Sequence, residues 1–360
     1  MTVAWIGSRE TLLERACQQA AMLLQSSRCP VFSFDTDVHG TRAAIALAER
    51  VGAAYDHAEG AALSRETALF TDKGAMTVAP GEVRRRADVV AIVGELPAFY
   101  QDFVAELVGT IPDLSGEVRT FFHIGAPGME IPPQAGRDVT QLLCEGVELA
   151  GTLAALRAQC AGRQVSIPVA NFNSFAGALS AAKFPVFLFS GYGVNGLALE
   201  MLQGLIADIN RKSRASSLHL PTSESGWGSA LASTWMTGFP PRTGFARGFP
   251  EFDPWRFDVT RAIASGEADL HLWISPVSTR PTRDNNVKLI AMTKTGEPVA
   301  GAAVTIAIGE AGIDHEAVVF SSRTGTLTAV TAHDASELPA AATVLRLIGE
   351  QIAAEASFPC

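Results

Sequence analysis

The chain has 360 residues, 48% of them apolar and 18% charged, with a net charge of −9 and a pI near 5.3. An acidic balance of this size excludes nucleic acid as the main partner. No run approaches the ~20 apolar residues that cross a bilayer, and the start MTVAWIGSRE lacks the basic and apolar blocks of a secretory signal, so no membrane is expected and the cytoplasm is the expected compartment.

The charged fraction lies below the typical value of about 25%. Two readings of that stay open: surface buried against partners, or an Ala-rich composition. Five cysteines occur, Cys17, Cys29, Cys144, Cys160 and Cys360. Their number is odd, and none stands in the close pairs that a disulfide framework, a zinc site or an iron–sulfur cluster uses.

In chain order, LLERACQQAAMLLQ (12–25) has apolar residues at helical spacing. PVFSFD (30–35) predicts a strand and TRAAIALAERVGA (41–53) the helix after it. Residues 56–84 are polar and irregular and read as a loop. RADVVAIVG (86–94) and RTFFHIG (119–125) are short, continuously apolar strands. Residues 139–160 read as one long helix, with Cys144 inside it as a small buried thiol, like Cys17 in the first helix. Strand 185–190 and helix 196–210 follow, then strand 215–221 and a long Gly-, Pro- and aromatic-rich loop over 221–255. Four short strands come after residue 288. A closing helix over 336–356 takes Ser336 as N-cap and Pro339 in its first turn.

Two echoes run through this order. Pro30-Val31-Phe32-Ser33-Phe34 returns as Pro185-Val186-Phe187-Leu188-Phe189. Ala87-Asp88-Val89-Val90-Ala91-Ile92 returns as Ala268-Asp269-Leu270-His271-Leu272-Trp273-Ile274. The expectation is two related doubly wound three-layer α/β units with mainly parallel sheets. Residues 1–165 form the first and 166–300 the second, which carries loop 221–255. Residues 301–360 add C-terminal strands and a helix that packs back on the first unit.

The most pointed motif is Gly191-Tyr192-Gly193-Val194-Asn195-Gly196 between a strand and a helix. That is the context of a dinucleotide-binding turn. Its usual acidic partner is missing: the next strand ends in Leu220-Pro221-Thr222. A nicotinamide-nucleotide-binding protein is therefore a remote alternative, and a plain tight turn is the simpler reading. The seven histidines show no metal-ligand spacing. His219 and His271 fall inside predicted strands and read as core residues. Asp35, Asp37 and His39 share one turn, which is too few ligands for a metal site. Arg84-Arg85-Arg86 reads as a solvated turn. No nucleophile elbow or P-loop is present, and no acid–base constellation.

One loop carries a resemblance. ASTWMTGFPPRTGFARGFPEFDPWRF (232–257) resembles a loop in the beta subunit of formylmethanofuran dehydrogenase, a molybdopterin- or tungstopterin-dependent protein. FPVFLFSGYGVNGLALEMLQGLIADINRKSRASSLHLP (184–221) and RCPVFSFDTDVHGTRAAIALAERVGA (28–53) are similar to that family's strand–turn–helix segments. The likeness runs in order from about residue 1 to 300. Two parts of the family pattern are absent. No cysteine-rich cluster domain precedes the first strand, and the turn Asp37-Val38-His39-Gly40 has no thiol where the family holds its metal.

A chain of this family without redox parts resembles the beta subunit of the bacterial formyltransferase/hydrolase complex. The resemblance implies a formate dehydrogenase/DMSO reductase-like fold. It implies a non-catalytic, cofactor-free, metal-free structural subunit of a hetero-oligomer. That complex takes formyl-tetrahydromethanopterin to formate through a methanofuran-type coenzyme, with amidohydrolase-type and formyltransferase subunits as partners. The alternative is an active molybdopterin or tungstopterin oxidoreductase subunit. No residue is expected to be catalytic, and Gly191, Gly193 and Gly196 are expected to be a vestigial turn. Trp235, Phe239, Arg242, Phe245, Arg247, Phe249 and Trp255 are the candidate interface residues, since aromatics and Arg dominate interface hot spots.

Overall fold

The computed structural model describes residues 4–72, 74–130, 139–278, 281 and 286–352. Its contacts divide the chain into two units, Met1–Ser64 with Ser223–Phe320 and Leu327–Cys360, and Arg65–Thr222 with Ser321–Thr326. The boundary expected near residue 165 thus falls inside the second unit. The first unit is built from both ends of the chain, and the last residues belong to it.

The chain begins with β1 (Ala4–Ile6), β2 (Arg9–Thr11), α1 (Leu13–Ser26), β3 (Pro30–Phe34), α2 (Val38–Val51) and β4 (Ala54–His57). Helix α3 (Gly60–Asp72) carries the chain out of the first unit. The second unit contains α4 (Pro80–Arg86), β5 (Val89–Val93), α5 (Gln101–Gly109), β6 (Thr120–Ile124), β7 (Thr140–Leu142), α6 (Leu149–Cys160), α7 (Phe172–Ala181), β8 (Pro185–Phe189), α8 (Gly196–Ile209) and β9 (Ser216–His219). The chain then returns through α9 (Glu224–Thr237), β10 (Thr243–Gly244), β11 (Glu251–Phe252), α10 (Val259–Ala264), β12 (Leu270–Ile274), β13 (Lys288–Thr293), β14 (Val304–Ala307), β15 (Ala317–Ser321), β16 (Thr326–Val330) and α11 (Ala341–Gln351).

The second unit holds a five-stranded, wholly parallel sheet in the order β7-β6-β5-β8-β9. Successive side chains of a strand point to opposite faces, and here both faces are apolar. Val89, Ala91 and Val93 join a core with α6 and α8, while Val90 and Ile92 join another with α4 and α5. The first unit's sheet runs β11-β10-β4-β3-β12-β13-β14-β1-β2. Its five central strands are parallel, and antiparallel pairs extend both edges. Helices α1, α2 and α11 cover one face through Ala20, Leu24, Ala44, Ala48, Val344 and Ile348. Helix α10 packs Val259 and Ile263 on the other. The fold is α/β, as expected.

The two echoes are neighbours in space, paired otherwise than in sequence. Pro30 lies opposite Leu270 and Pro185 opposite Val89. In each sheet the Asp before one strand clamps the chain entering the other. Asp88 accepts backbone N–H groups of Lys183 and Phe184 at 2.6 and 3.0 Å. Asp269 accepts those of Arg28 and Cys29 at 2.9 and 3.0 Å. A proline begins the clamped strand each time, so the amides just before it are the donors that need a partner.

Several expected elements differ. Helix 139–160 is instead strand β7, a turn, and α6. Pairing of Thr140–Leu142 with Phe122–Ile124 overrides local helical spacing, and Cys144 is buried in the turn. The loop over 56–84 contains α3 and α4, and the loop over 221–255 contains α9. The closing helix starts at Ala341 with Ala340 as N-cap; Ser336 lies before it, its hydroxyl accepting the Leu338 N–H at 3.3 Å. Cys360 lies outside the described residues.

Candidate functional site

The glycine turn stands at the carboxyl end of β8. Strand order reverses between β5 and β8 in this sheet, and the crevice at such a point is where open α/β sheets bind ligands. The position is right for a site, but the turn is filled from within. Glu66, on α3, is buried, and its Oε1 accepts the Gly191 N–H at 2.8 Å, the Thr222 N–H at 3.0 Å and the Thr222 hydroxyl at 2.7 Å. His219 Nε2, at the end of β9, lies 3.4 Å from the same oxygen. Burial works to raise the Glu66 carboxyl, but His219, Thr222 and Gly191 outweigh it and hold it below its ordinary value.

A Cβ on Gly191 would lie 2.5 Å from Glu66 Cγ. The first glycine therefore makes room for a carboxylate of the chain itself. Gly193 has φ +64°, a left-handed backbone that disfavours side chains, and a Cβ there would lie 3.9 Å from Glu95 Oε2. The N–H of Tyr192 is spent on Ser190 Oγ at 3.2 Å, and that of Ala198 on Asn195 Oδ1 at 2.9 Å. A phosphate needs such amides free and no carboxylate nearby. The turn does not fit a dinucleotide.

The turn after β3 occupies the matching place in the first unit, where order reverses between β3 and β12. The Asp35 N–H extends the pairing to Ile274 O at 2.8 Å. The Asp35 carboxylate lies 3.7 Å from Nε2 of the buried His57. His57 Nδ1 accepts the Glu59 N–H at 3.0 Å, which leaves the ring proton on Nε2, facing Asp35. Burial raises the Asp35 carboxyl, while His57 and the Ser225 hydroxyl bring it below its ordinary value. Asp37 is spent as the N-cap of α2, accepting the Gly40 N–H at 2.9 Å, and His39 is exposed.

A bound molybdopterin or tungstopterin metal wants a thiolate at this turn, and residues 35–40 contain no cysteine. Burial pushes the thiols of Cys17 and Cys160 up to about 11, so both are protonated at neutral pH. Among the described residues no group of three or more His, Cys, Asp or Glu side chains is placed to hold a metal ion. With Glu66 closing the other turn, the residues present do not fit the metal–pterin group.

The other sequence candidates separate. His271 is buried with its Nε2 2.6 Å from Ser33 Oγ, a core pair, as expected. The three arginines end helix α4 instead of forming a turn. Each is paired, with Glu106, Asp113 and Glu82 at 2.8, 2.9 and 3.1 Å.

Of the interface candidates, Arg242 and Phe245 are internal, a correction to their expected role. Phe245 is 2% exposed and stacks on Tyr55 at 6.0 Å. Arg242, at φ +72°, holds Asp56 at 3.1 Å, Asp258 at 2.8 Å and the Pro254 carbonyl at 2.6 Å. Burial of Asp56 is the largest effect there and pushes its carboxyl up to about 6 despite Arg242. This buried knot anchors a loop whose rings face outward. Trp235 is 62% and Trp255 69% exposed, Phe249 is exposed, and Phe239 stacks flat on Phe252 at 6.0 Å. Arg247 is exposed and 3.4 Å from Glu251. Glu66 and His57 were missed in the sequence because nothing local links a carboxylate to a turn far along the chain.

Together these features define a doubly wound α/β protein whose two switch-point turns are occupied by its own carboxylates. No family model matches the chain. It is 34% identical over 345 residues to the beta subunit of the formyltransferase/hydrolase complex Fhc of Methylorubrum extorquens, covering 94% of this chain and 93% of that protein. It also matches the crystal structure of the formyltransferase/hydrolase complex (FhcABCD) of Methylorubrum extorquens in complex with methylofuran. There the TM-score is 0.88 at 33% identity, over 97% of this chain and 98% of that one. The chain belongs to the family of Fhc beta subunits.

Proposed function

We propose that this chain is the beta subunit of a formyltransferase/hydrolase complex, a structural subunit that itself neither holds a cofactor nor carries out a reaction. The observation that carries the reading is the end-to-end likeness to the Fhc beta subunit. The closed Gly191 turn supports the cofactor-free part. The complex converts formyl-tetrahydromethanopterin to formate through a methanofuran-type coenzyme, within formaldehyde oxidation in one-carbon metabolism. Its formyltransferase and amidohydrolase-type subunits do the chemistry, and this chain completes their scaffold. The compartment is the cytoplasm; among the described residues no helix is long and apolar enough to cross a membrane. Descent from a formylmethanofuran dehydrogenase-type subunit that lost its redox site accounts for two ligand-ready turns now filled by Asp35 and Glu66.

Tagged chain co-expressed with the other subunits of its source tests the reading. Native mass spectrometry is expected to find a stable assembly containing formyltransferase and amidohydrolase-type chains, and metal analysis to find no molybdenum or tungsten that tracks this subunit. A monomer that retains neither partner, or one molybdenum or tungsten per chain, overturns it.

A further inference from the structure

A groove of about 1230 Å³ runs along the second unit, lined by α6, α7, α8 and the residues that follow α6 and α8. Its charge runs against that of the chain. The protein carries −9 overall, yet Arg157, Arg163, Arg211 and Lys212 line the groove with Asp208 as the sole carboxylate among its lining residues. Helix ends explain part of this, because cations are favoured near helix C-termini. Arg157 and Arg211 are also engaged, 2.5 and 3.4 Å from Asp208. Arg163 and Lys212 lie beyond the helix ends, are exposed, and form no ion pair among the described residues.

The floor is apolar and built to hold its shape. Phe172, Leu179, Met201 and Ile209 line it. Gly204 lets the Arg157 guanidinium lie across α8, since a Cβ there would sit 2.4 Å from Nη1. The volume exceeds the roughly 300–1,000 Å³ of small-molecule pockets. Burial keeps Cys160 protonated, so the groove offers no thiolate nucleophile. A wide apolar floor rimmed by unpaired cations suits a polypeptide segment carrying both carboxylates and apolar side chains.

We propose that this groove docks an acidic segment of a partner polypeptide. Its carboxylates meet Arg163 and Lys212, and its apolar side chains lie on Phe172 and Met201. The proposal rests on the reading of the chain as a subunit of an assembly.

Fluorescence anisotropy of the full-length chain with a labelled peptide of alternating Glu and Leu tests it. Saturable binding is expected at low salt, weakening as salt screens the charges. The variant Arg163→Glu/Lys212→Glu is expected to lose about tenfold or more in affinity with its melting temperature unchanged. Absence of saturable binding, equal binding by the variant, or tighter binding of a single-stranded oligonucleotide than of the peptide overturns the proposal. Co-purification with formyltransferase subunits is scored separately. Intact co-purification without peptide binding removes the groove proposal alone, and peptide binding without co-purification removes the subunit reading alone.

Discussion

Glu66 Oε1 accepts the Gly191 N–H at 2.8 Å, joining residues 125 positions apart in the chain. The carboxylate takes a donor that a bound phosphate uses in a nucleotide-binding turn. A motif that reads as a ligand site is thereby converted into a structural joint.

Removal of that joint is expected to destabilise the protein. In Glu66→Ala the Gly191 and Thr222 amides and the Thr222 hydroxyl lose their acceptor. Breaking a buried, charge-assisted network of this kind costs about 3–5 kcal/mol. Denaturant unfolding measures it, and a loss below about 1 kcal/mol contradicts the assigned role. Gly191→Ala is expected to be nearly as harmful in the wild type but much less so in the Glu66→Ala background, because its Cβ collides with Glu66 itself. Additive costs contradict that account.

The same residue gives a pH dependence of definite sign. Glu66 is held below its ordinary value of 4.5 in the fold. Its contribution is therefore complete above that value and is lost as pH falls through the lower, folded-state value. The stability gap between wild type and Glu66→Gln is expected to narrow on acidification below pH 4.5. Asp56 behaves oppositely. Its carboxyl is raised from 3.8 to about 6, so the folded state holds the proton more tightly. Wild type is expected to lose stability relative to Asp56→Asn as pH rises from 3.8 to about 6. Thermal melts of the three proteins across pH 3–7 decide both, and a gap that moves the other way refutes the assignment.

The buried strands were legible in the sequence because both faces of a parallel sheet are covered. Residues 30–34, 89–93, 120–124, 185–189 and 270–274 read as continuous apolar runs for that reason. Helix α9 was not legible. Its buried face is made of Gly226, Gly228, Ser229, Ala230, Ala232 and Ser233, small residues that give no apolar stripe. The two echoed strand pairs were visible, but not which strand joins which sheet. That choice rests on the Asp88 and Asp269 clamps, contacts made across 95 and about 240 residues. Neither site carboxylate gave a local signal, since Glu66 and Asp35 find their partners only after folding.

Arg242 ties the aromatic loop to the first unit, and Arg242→Ala is expected to cost about 3–5 kcal/mol by leaving Asp56 buried without its cation. The variant Arg242→Lys is expected to recover only part of this. A single ammonium cannot span Asp56, Asp258 and the Pro254 carbonyl together. Urea titration of the three proteins is the check, and full recovery by Lys contradicts the fork geometry.

The loop's rings divide into an inner and an outer set, and the two are expected to fail in different ways. Phe245 is packed against Tyr55 and is 2% exposed, so Phe245→Ala leaves a cavity and is expected to cost about 3–5 kcal/mol in the free chain. Trp235 and Trp255 are largely exposed, and truncation of either is expected to move free-chain stability by only about 0.5 kcal/mol. With Phe239, Phe249 and Phe252 they form an outward apolar surface of the sort monomers avoid. If that surface is an assembly interface, Trp235→Ala is expected to weaken association by about 2 kcal/mol, or ~30-fold. Titration of each folded variant against the remaining subunits measures this directly. A Trp235→Ala chain that melts like wild type and assembles with unchanged affinity removes Trp235 from the interface. The same result for Trp255→Ala removes the loop, leaving the interface to another face of the chain.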